Sequence, residues 1–184
     1  MSRPNLLFIM ADQLRADFLS CYGADFIDTP HIDSLADEGV LYPNSYSPSP
    51  VCVPARCVLL TGRDAIANGV LGNQHFLRPD LEQTGVLTWA QILGEAGYLT
   101  ASIGKMHFYP WDADLGFQHR VICEDKRWLD IEDDYYHHLH GKGLRKLHGR
   151  DHEGYQENRG AIICPYDLDD SWDGFVGAQA ERFV

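Results

Sequence analysis

SPSPVCVPARCVLLTGR, residues 47–63, is the stretch on which the reading of this chain turns. Pro54 suits the first turn of a helix running through residues 55–60, and Gly62 suits its end. Cys52 then sits at the helix N-terminus, where unpaired N–H groups and the helix dipole stabilise negative charge on a thiolate or an oxyanion. Arg56, on the first turn, can fold back towards the same point. By position alone two readings stand side by side: an activated nucleophile, or a small hydrophobe at a loop end.

The chain on either side reads as alternating helix and strand. NLLFIM, residues 5–10, is a continuous apolar run of the kind expected for a strand buried on both faces of a parallel sheet. Asp12 and Gln13 follow it directly, at the carboxyl edge where open α/β sheets bind ligands. TPHIDSLADEG, residues 29–39, carries a cap in Thr29, a first-turn proline in Pro30, a terminator in Gly39 and an apolar stripe of Ile32, Leu35 and Ala36. TWAQILGEAGY repeats that grammar: Thr88 caps, Trp89, Ile92, Leu93 and Ala96 form the buried face, and Gly97 ends the helix. Residues 98–103, YLTASI, read as a strand leading into GKMHF. Lys105 and His107 alternate, so an extended segment turns both to one face. The expected fold class is α/β with a mostly parallel sheet. From 109 to 172 the sequence is polar, His-rich and weakly periodic, and reads as a long loop-rich excursion. A helix is expected again from about Asp173.

Composition excludes several classes. The 184 residues carry 15 Lys and Arg against 27 Asp and Glu, a net charge of −12, which repels phosphate backbones and argues against nucleic-acid binding. The one basic run, KGLRKLHGR at 142–150, reads as a solvated face. No apolar run approaches the length of a membrane span, and the N-terminus lacks the apolar region of a signal peptide, so no membrane partner and a cytoplasmic location are expected. Five cysteines with no CxxC pair make neither a disulfide scaffold nor a zinc ribbon. His137, His138, His140, His148 and His152 have no metal-ligand spacing and read as solvated loop residues.

Cys52-Val53-Pro54-Ala55-Arg56, followed by Leu59-Leu60-Thr61-Gly62, resembles the signature of the type I sulfatases of the alkaline-phosphatase superfamily. GYLTASIGKMHF at 97–108 resembles a second sulfatase element, and RPNLLFIMADQ with TPHIDSLADEG a third. The resemblance implies an alkaline-phosphatase-like sandwich, with a mostly parallel central sheet flanked by helices, incomplete here, residues 1–184 being the N-terminal part of a single catalytic domain. It implies that Cys52 is oxidised to formylglycine by a formylglycine-generating enzyme and hydrates to a geminal diol. One hydroxyl attacks the sulfur of a small-molecule sulfate ester and releases the alcohol; the other collapses to the aldehyde and expels sulfate. A divalent metal is implied on Asp12, Gln13 and the group made from Cys52; hard oxygen ligands suit Ca²⁺, with Mg²⁺ or Mn²⁺ as alternatives. The Asp-Gln pair is shared by a subgroup resembling choline sulfatases and phosphonate monoester hydrolases.

In the same resemblance Lys105 and His107 contact the formylglycine and the sulfate, and with Arg56 they make a cationic cradle for a tetrahedral anion. Asn73 matches a polar residue that approaches substrate. Phosphonate monoester hydrolases have Tyr and Thr where this chain has Lys105 and His107, which favours sulfate-ester hydrolysis. The alternatives are phosphonate monoester or phosphodiester hydrolysis, or a non-catalytic remnant kept for partner binding. Val53 departs from the smaller residue usual in the family, a difference that bears on recognition by the modifying enzyme. Family members are longer than this chain, so residues 1–184 are expected to be the N-terminal part of a sulfatase. A remaining C-terminal part would supply further metal ligands, and the 184 residues alone would be inactive. A homo-oligomer is left open.

Overall fold

The computed structural model describes residues 3–125 and 129–184. They fall into two compact units, Met1–Ser47 and Pro48–Val184.

The first unit holds one α-helix, α1 (Pro30–Glu38), preceded by two single 3-10 turns at Ala16–Phe18 and Ser20–Tyr22. Pro30 occupies the first turn as expected. Thr29 does not cap it by side chain, because its hydroxyl is committed elsewhere. It accepts the Ser20 amide at 3.0 Å, meets the Ser20 hydroxyl at 2.7 Å and bonds Asp33 Oδ1 at 3.1 Å. Residues 5–10, expected as a buried strand, form none and are exposed throughout. A strand apolar on both faces exists only by pairing along its edges and burying both sides, and no ladder reaches this run among the described residues. The expected stripe of α1 is likewise uncovered at Ile32 and Leu35.

The second unit carries the core and the paired strands. Helix α2 (Cys52–Thr61) begins where the sequence places it and ends on Gly62, whose φ of +64° is the left-handed stop that glycine accepts readily. Val53, Cys57 and Leu60, spaced by four and three residues, lie on its buried face. Full burial of Val53 and Leu60 contributes roughly 1.5–3 kcal/mol apiece. A short α3 (Ala65–Asn68) follows, capped by Asp64. Helix α4 (Trp89–Glu95) has the full capping box, Thr88 taking the Gln91 amide and Gln91 returning to the Thr88 amide. Its buried residue is Ala90, not Ile92, which is exposed. The turn at Gly116 packs so closely on residues 90 and 91 that a Cβ there would meet Ala90 and Gln91 backbone atoms at 3.1 and 2.6 Å, so a small residue faces inward.

Strand β1 (Ala101–Gly104) starts three residues later than the sequence reading and pairs in parallel with β2 (His119–Ile122), Ala101 opposite His119 and Gly104 opposite Ile122. The parallel expectation therefore holds for the pair that forms. Gly104 has a φ of +110°, and a Cβ on it would approach Val176 at 3.2 Å. A side chain would be strained there and would push on the last helix, α6 (Trp172–Phe183).

The excursion read as loop-rich from 109 to 172 contains β2 and helix α5 (Asp134–His140). Asp133 caps α5 by accepting the Tyr136 amide at 2.8 Å, and Tyr135 and Leu139, four apart, are buried against Phe175. The three histidines His137, His138 and His140 thus lie on a helix rather than a loop, in its last turn, where they favour the negative end of the dipole. His148 caps a 3-10 turn at Gly149–Asp151 and accepts the Arg150 amide. Among the described residues no group of three or more His, Cys, Asp or Glu is placed to hold a metal ion. No helix among them is long and apolar enough to cross a membrane.

The Ser20 and Thr29 hydroxyls and the Cys21 amide hold the Asp33 carboxyl below the usual carboxylate range, the Ser20 hydrogen bond being the largest cause. A carboxyl depressed in the folded state stabilises fully above the ordinary carboxylate range and loses that contribution as pH falls through its folded value. Replacing Asp33 with Asn is expected to lower the melting temperature at neutral pH and to flatten the acid side of its pH dependence. Thermal unfolding of both proteins across the acid range checks this; parallel curves for the two would contradict it.

Candidate active site

Cys52 is the first residue of α2, half-buried, with Val51 as the capping position. Arg56 lies four residues on, which places it on the same side of the helix as Cys52, while Val53 and Cys57 go to the core. The guanidinium Nη1 donates to the Lys105 carbonyl at 2.6 Å. That bond ties the cysteine-bearing turn to the segment leaving β1. Cys57, one residue past Arg56, faces elsewhere as expected: burial pushes its thiol up to about 11, so it stays protonated and inert near neutrality.

Asn73 Oδ1 accepts the Val53 amide at 3.0 Å. The side chain therefore does the work of a cap for α2 from outside the helix, satisfying one of the first-turn donors that the helix itself leaves open.

Lys105 and His107 do converge, but not by the extended alternation read from sequence. His107 has a φ of +58°, a left-handed conformation, and residues 105–108 are not strand. The convergence is on Asp125: Lys105 Nζ lies 3.1 Å and His107 Nε2 3.3 Å from its Oδ2. The bend is held by Glu124, whose Oε1 accepts the Met106 amide at 3.0 Å and the His107 amide at 2.7 Å. Glu124 and Asp125 were not singled out from sequence. Their signal was VICED, an apolar strand ending in two carboxylates; the parallel register that sets Gly104 beside Ile122 brings the two strand exits together.

Behind Glu124 lies a second buried layer. Its amide donates to Asp133 Oδ2 at 2.8 Å, and Asp133 Oδ1 pairs with Lys146 Nζ at 2.6 Å, both side chains at most 1% exposed. Removing one partner of such a pair leaves an uncompensated buried charge, at a cost of about 3–5 kcal/mol.

A cavity of about 360 Å³ opens beside His107, with Phe76, Leu77 and Tyr109 in its wall. A larger hollow of about 510 Å³, lined by Trp111, Arg120, Asp134 and His137, includes none of Cys52, Arg56, Lys105 and His107. The smaller cavity is the one that concerns this site, although Cys52 lines neither.

Asp12 and Gln13 belong to the first unit, where both are exposed at a bend and Gln13 has a φ of +59°. A carboxylate and an amide oxygen are the right kind of donor for a hard divalent cation, and two are fewer than the six or more such an ion takes.

Arg56, on the turn that Cys52 opens, is bonded to the Lys105 carbonyl, and Lys105 and His107 meet on Asp125 at the exit of a parallel strand pair. The sulfatase family model matches residues 4–166, and the chain belongs to that family. It is 37% identical over 123 residues to an arylsulfatase of Clostridium perfringens, covering 67% of this chain and 24% of that protein. It is 36% identical over 122 residues to the choline-sulfatase of Rhizobium meliloti, covering 66% of this chain and 23% of that one. A solved complex of a relative with its substrate D-glucosamine-2-N,6-O-disulfate superposes at a TM-score of 0.61 with 33% identity, over 73% of this chain and 24% of the other. The phosphonate monoester hydrolase of Agrobacterium radiobacter superposes at 0.72 over 98% of this chain and 38% of its own, with 23% identity. The fold is accordingly alkaline-phosphatase-like. The chain spans about a quarter of the length of the curated relatives named here.

Asn73→Ala removes the acceptor at the head of α2 and is expected to cost about 1 kcal/mol, the usual worth of a cap. Denaturant unfolding measures it, and an unchanged midpoint would show that the cap carries no weight.

Proposed function

We propose that this protein hydrolyses small-molecule sulfate esters, with Cys52, matured to formylglycine by a formylglycine-generating enzyme, as the nucleophilic position. The observation that carries the reading is the Arg56–Lys105 bond, which joins the cysteine turn and the Lys105–His107 bend into one assembly. The modified residue would supply two hydroxyls, one to take the sulfuryl group as the alcohol leaves and one whose loss of a proton re-forms the aldehyde as sulfate leaves. The first turn of α2 stabilises the anionic form of that group through its dipole. Arg56 fixes the turn and adds positive charge beside it. Lys105 and His107 supply the charge and the N–H donors that a sulfate needs. Asp125 keeps Lys105 charge-balanced at 16% exposure; a bound sulfate exchanges one anionic partner for another, so the lysine need not be stripped of water at that step. Asp12 and Gln13 would give two oxygens to a hard divalent cation, Ca²⁺ or Mg²⁺, whose chemistry is to neutralise charge on the ester and lower the pKa of the nucleophile.

Phosphonate monoester hydrolysis is the competing reading, since a phosphonate monoester hydrolase shares the fold. Lys105 and His107 favour the sulfate ester.

The test is an assay of the complete protein from its native host with an aryl sulfate, an aryl phosphate and an aryl phosphonate monoester in parallel. The sulfate is expected to turn over fastest. Cys52→Ala should lower the rate by a factor on the order of 10³ or more, and Lys105→Ala by roughly 10². Chelation should abolish turnover, and added Ca²⁺ or Mg²⁺ should restore it. Faster phosphonate cleavage, or full activity in the Cys52 variant, would overturn the reading.

A further inference from the structure

Glu124 stands at the carboxyl end of β2 with 1% of its surface exposed, a place where a carboxylate is costly unless something in the fold uses it. Each of its two oxygens faces the His107 bend. Oε1 accepts two consecutive amides, those of Met106 and His107. In extended backbone successive N–H groups point to opposite sides, so both reach one oxygen only if the chain turns between them. The turn between them falls at Met106, with His107 following at a φ of +58°, and the pair of amides forms a small concave nest of the kind that binds anions. A non-glycine residue held in the left-handed region is strained and persists only where its surroundings fix it.

Oε2 is buried without a hydrogen-bond partner among the described residues, 3.8 Å from His107 Nε2. That is beyond hydrogen-bond length. With Asp125 Oδ2 at 3.3 Å, the Nε2 edge of the ring therefore faces two carboxylate oxygens. A proton on Nε2 is the arrangement that avoids setting a nitrogen lone pair against them. The Glu124 amide is bonded to Asp133, the buried partner of Lys146, which anchors the backbone from which the carboxyl reaches.

We propose that Glu124 is the positioning residue of this site: by gathering the Met106 and His107 amides on one oxygen and facing the imidazole with the other, it fixes the bend that delivers His107. It does not touch substrate. The consequence for turnover rests on the sulfate-ester reading; the placement of His107 does not.

Two variants separate the contributions without opening a void. Glu124→Gln keeps an oxygen acceptor at the same reach and removes the charge. Glu124→Asp keeps the charge and withdraws the acceptor by one methylene. Both are made in the complete protein, and amide hydrogen exchange at Met106 and His107 is read beside kcat and KM for an aryl sulfate. The Asp variant is expected to exchange roughly tenfold faster at those two amides, with the amides of α5 and α6 unchanged. Its kcat should fall by roughly a hundredfold at near-constant KM, as misplacement of a reacting group does. The Gln variant should restore both the protection and most of kcat.

Unchanged protection in the Asp variant overturns the proposal. So does wild-type kcat once that protection is lost, and so does a Gln variant with protected amides and the kcat of the Asp variant. If the wild-type protein cleaves no sulfate ester, the functional reading fails by itself, and the exchange rates still decide whether Glu124 holds the bend.

Discussion

The parallel register of β1 and β2 is the constraint from which the site follows. Gly104 lies opposite Ile122, so the residues that leave the two strands, 105–107 on one side and 123–125 on the other, emerge together. A parallel pair sends both chains out at the same end, and here one exit brings a lysine and a histidine while the other brings carboxylates. Lys105 and His107 meet Asp125, and Glu124 holds the bend between them. Slipping the register by one residue would turn Glu124 away from the Met106 and His107 amides, since successive side chains alternate in direction.

Around that exit the fold spends its buried polar groups. Lys146, Asp133 and Glu124 form a chain of hydrogen bonds and charge pairs behind His107, and Arg56 fastens α2 to the Lys105 carbonyl in front. A buried pair such as Asp133 with Lys146 adds little net stability compared with apolar packing, yet it is expensive to break. It therefore serves placement better than it serves stability. The apolar work is done beside it, where Val53, Cys57 and Leu60 of α2 pack with Met106 and Phe108 from the same bend. The cysteine turn and the histidine bend are thus joined twice, once by a hydrogen bond and once through the shared core.

Much of this was legible in the sequence because its signals are local. Pro54 and Gly62 bracket α2, Thr88 with Gln91 announces α4, and the CxPxR and GKMH elements name the residues that the structure brings into one assembly. What was not legible depends on contacts between distant residues. Residues 5–10 carry a strand's composition without a strand's partners among the described residues. Asn73 accepts the Val53 amide, a contact across twenty residues that the sequence does not announce. The alternation of Lys105 and His107 predicted a shared direction for the wrong reason, because a carboxylate 17 residues further on in sequence from His107 bends the chain. Helix α5 was obscured by its histidines, although Asp133 and the Tyr135–Leu139 spacing were there to mark it.

The central claim is that Cys52 is matured into the nucleophile. Peptide mass spectrometry of the protein from its native host, on the tryptic peptide spanning 16–56, tests it most directly. The account predicts an aldehyde in place of the Cys52 thiol. An unmodified thiol in protein that cleaves sulfate esters would contradict it, and the role of α2 would then have to be rebuilt around a plain cysteine.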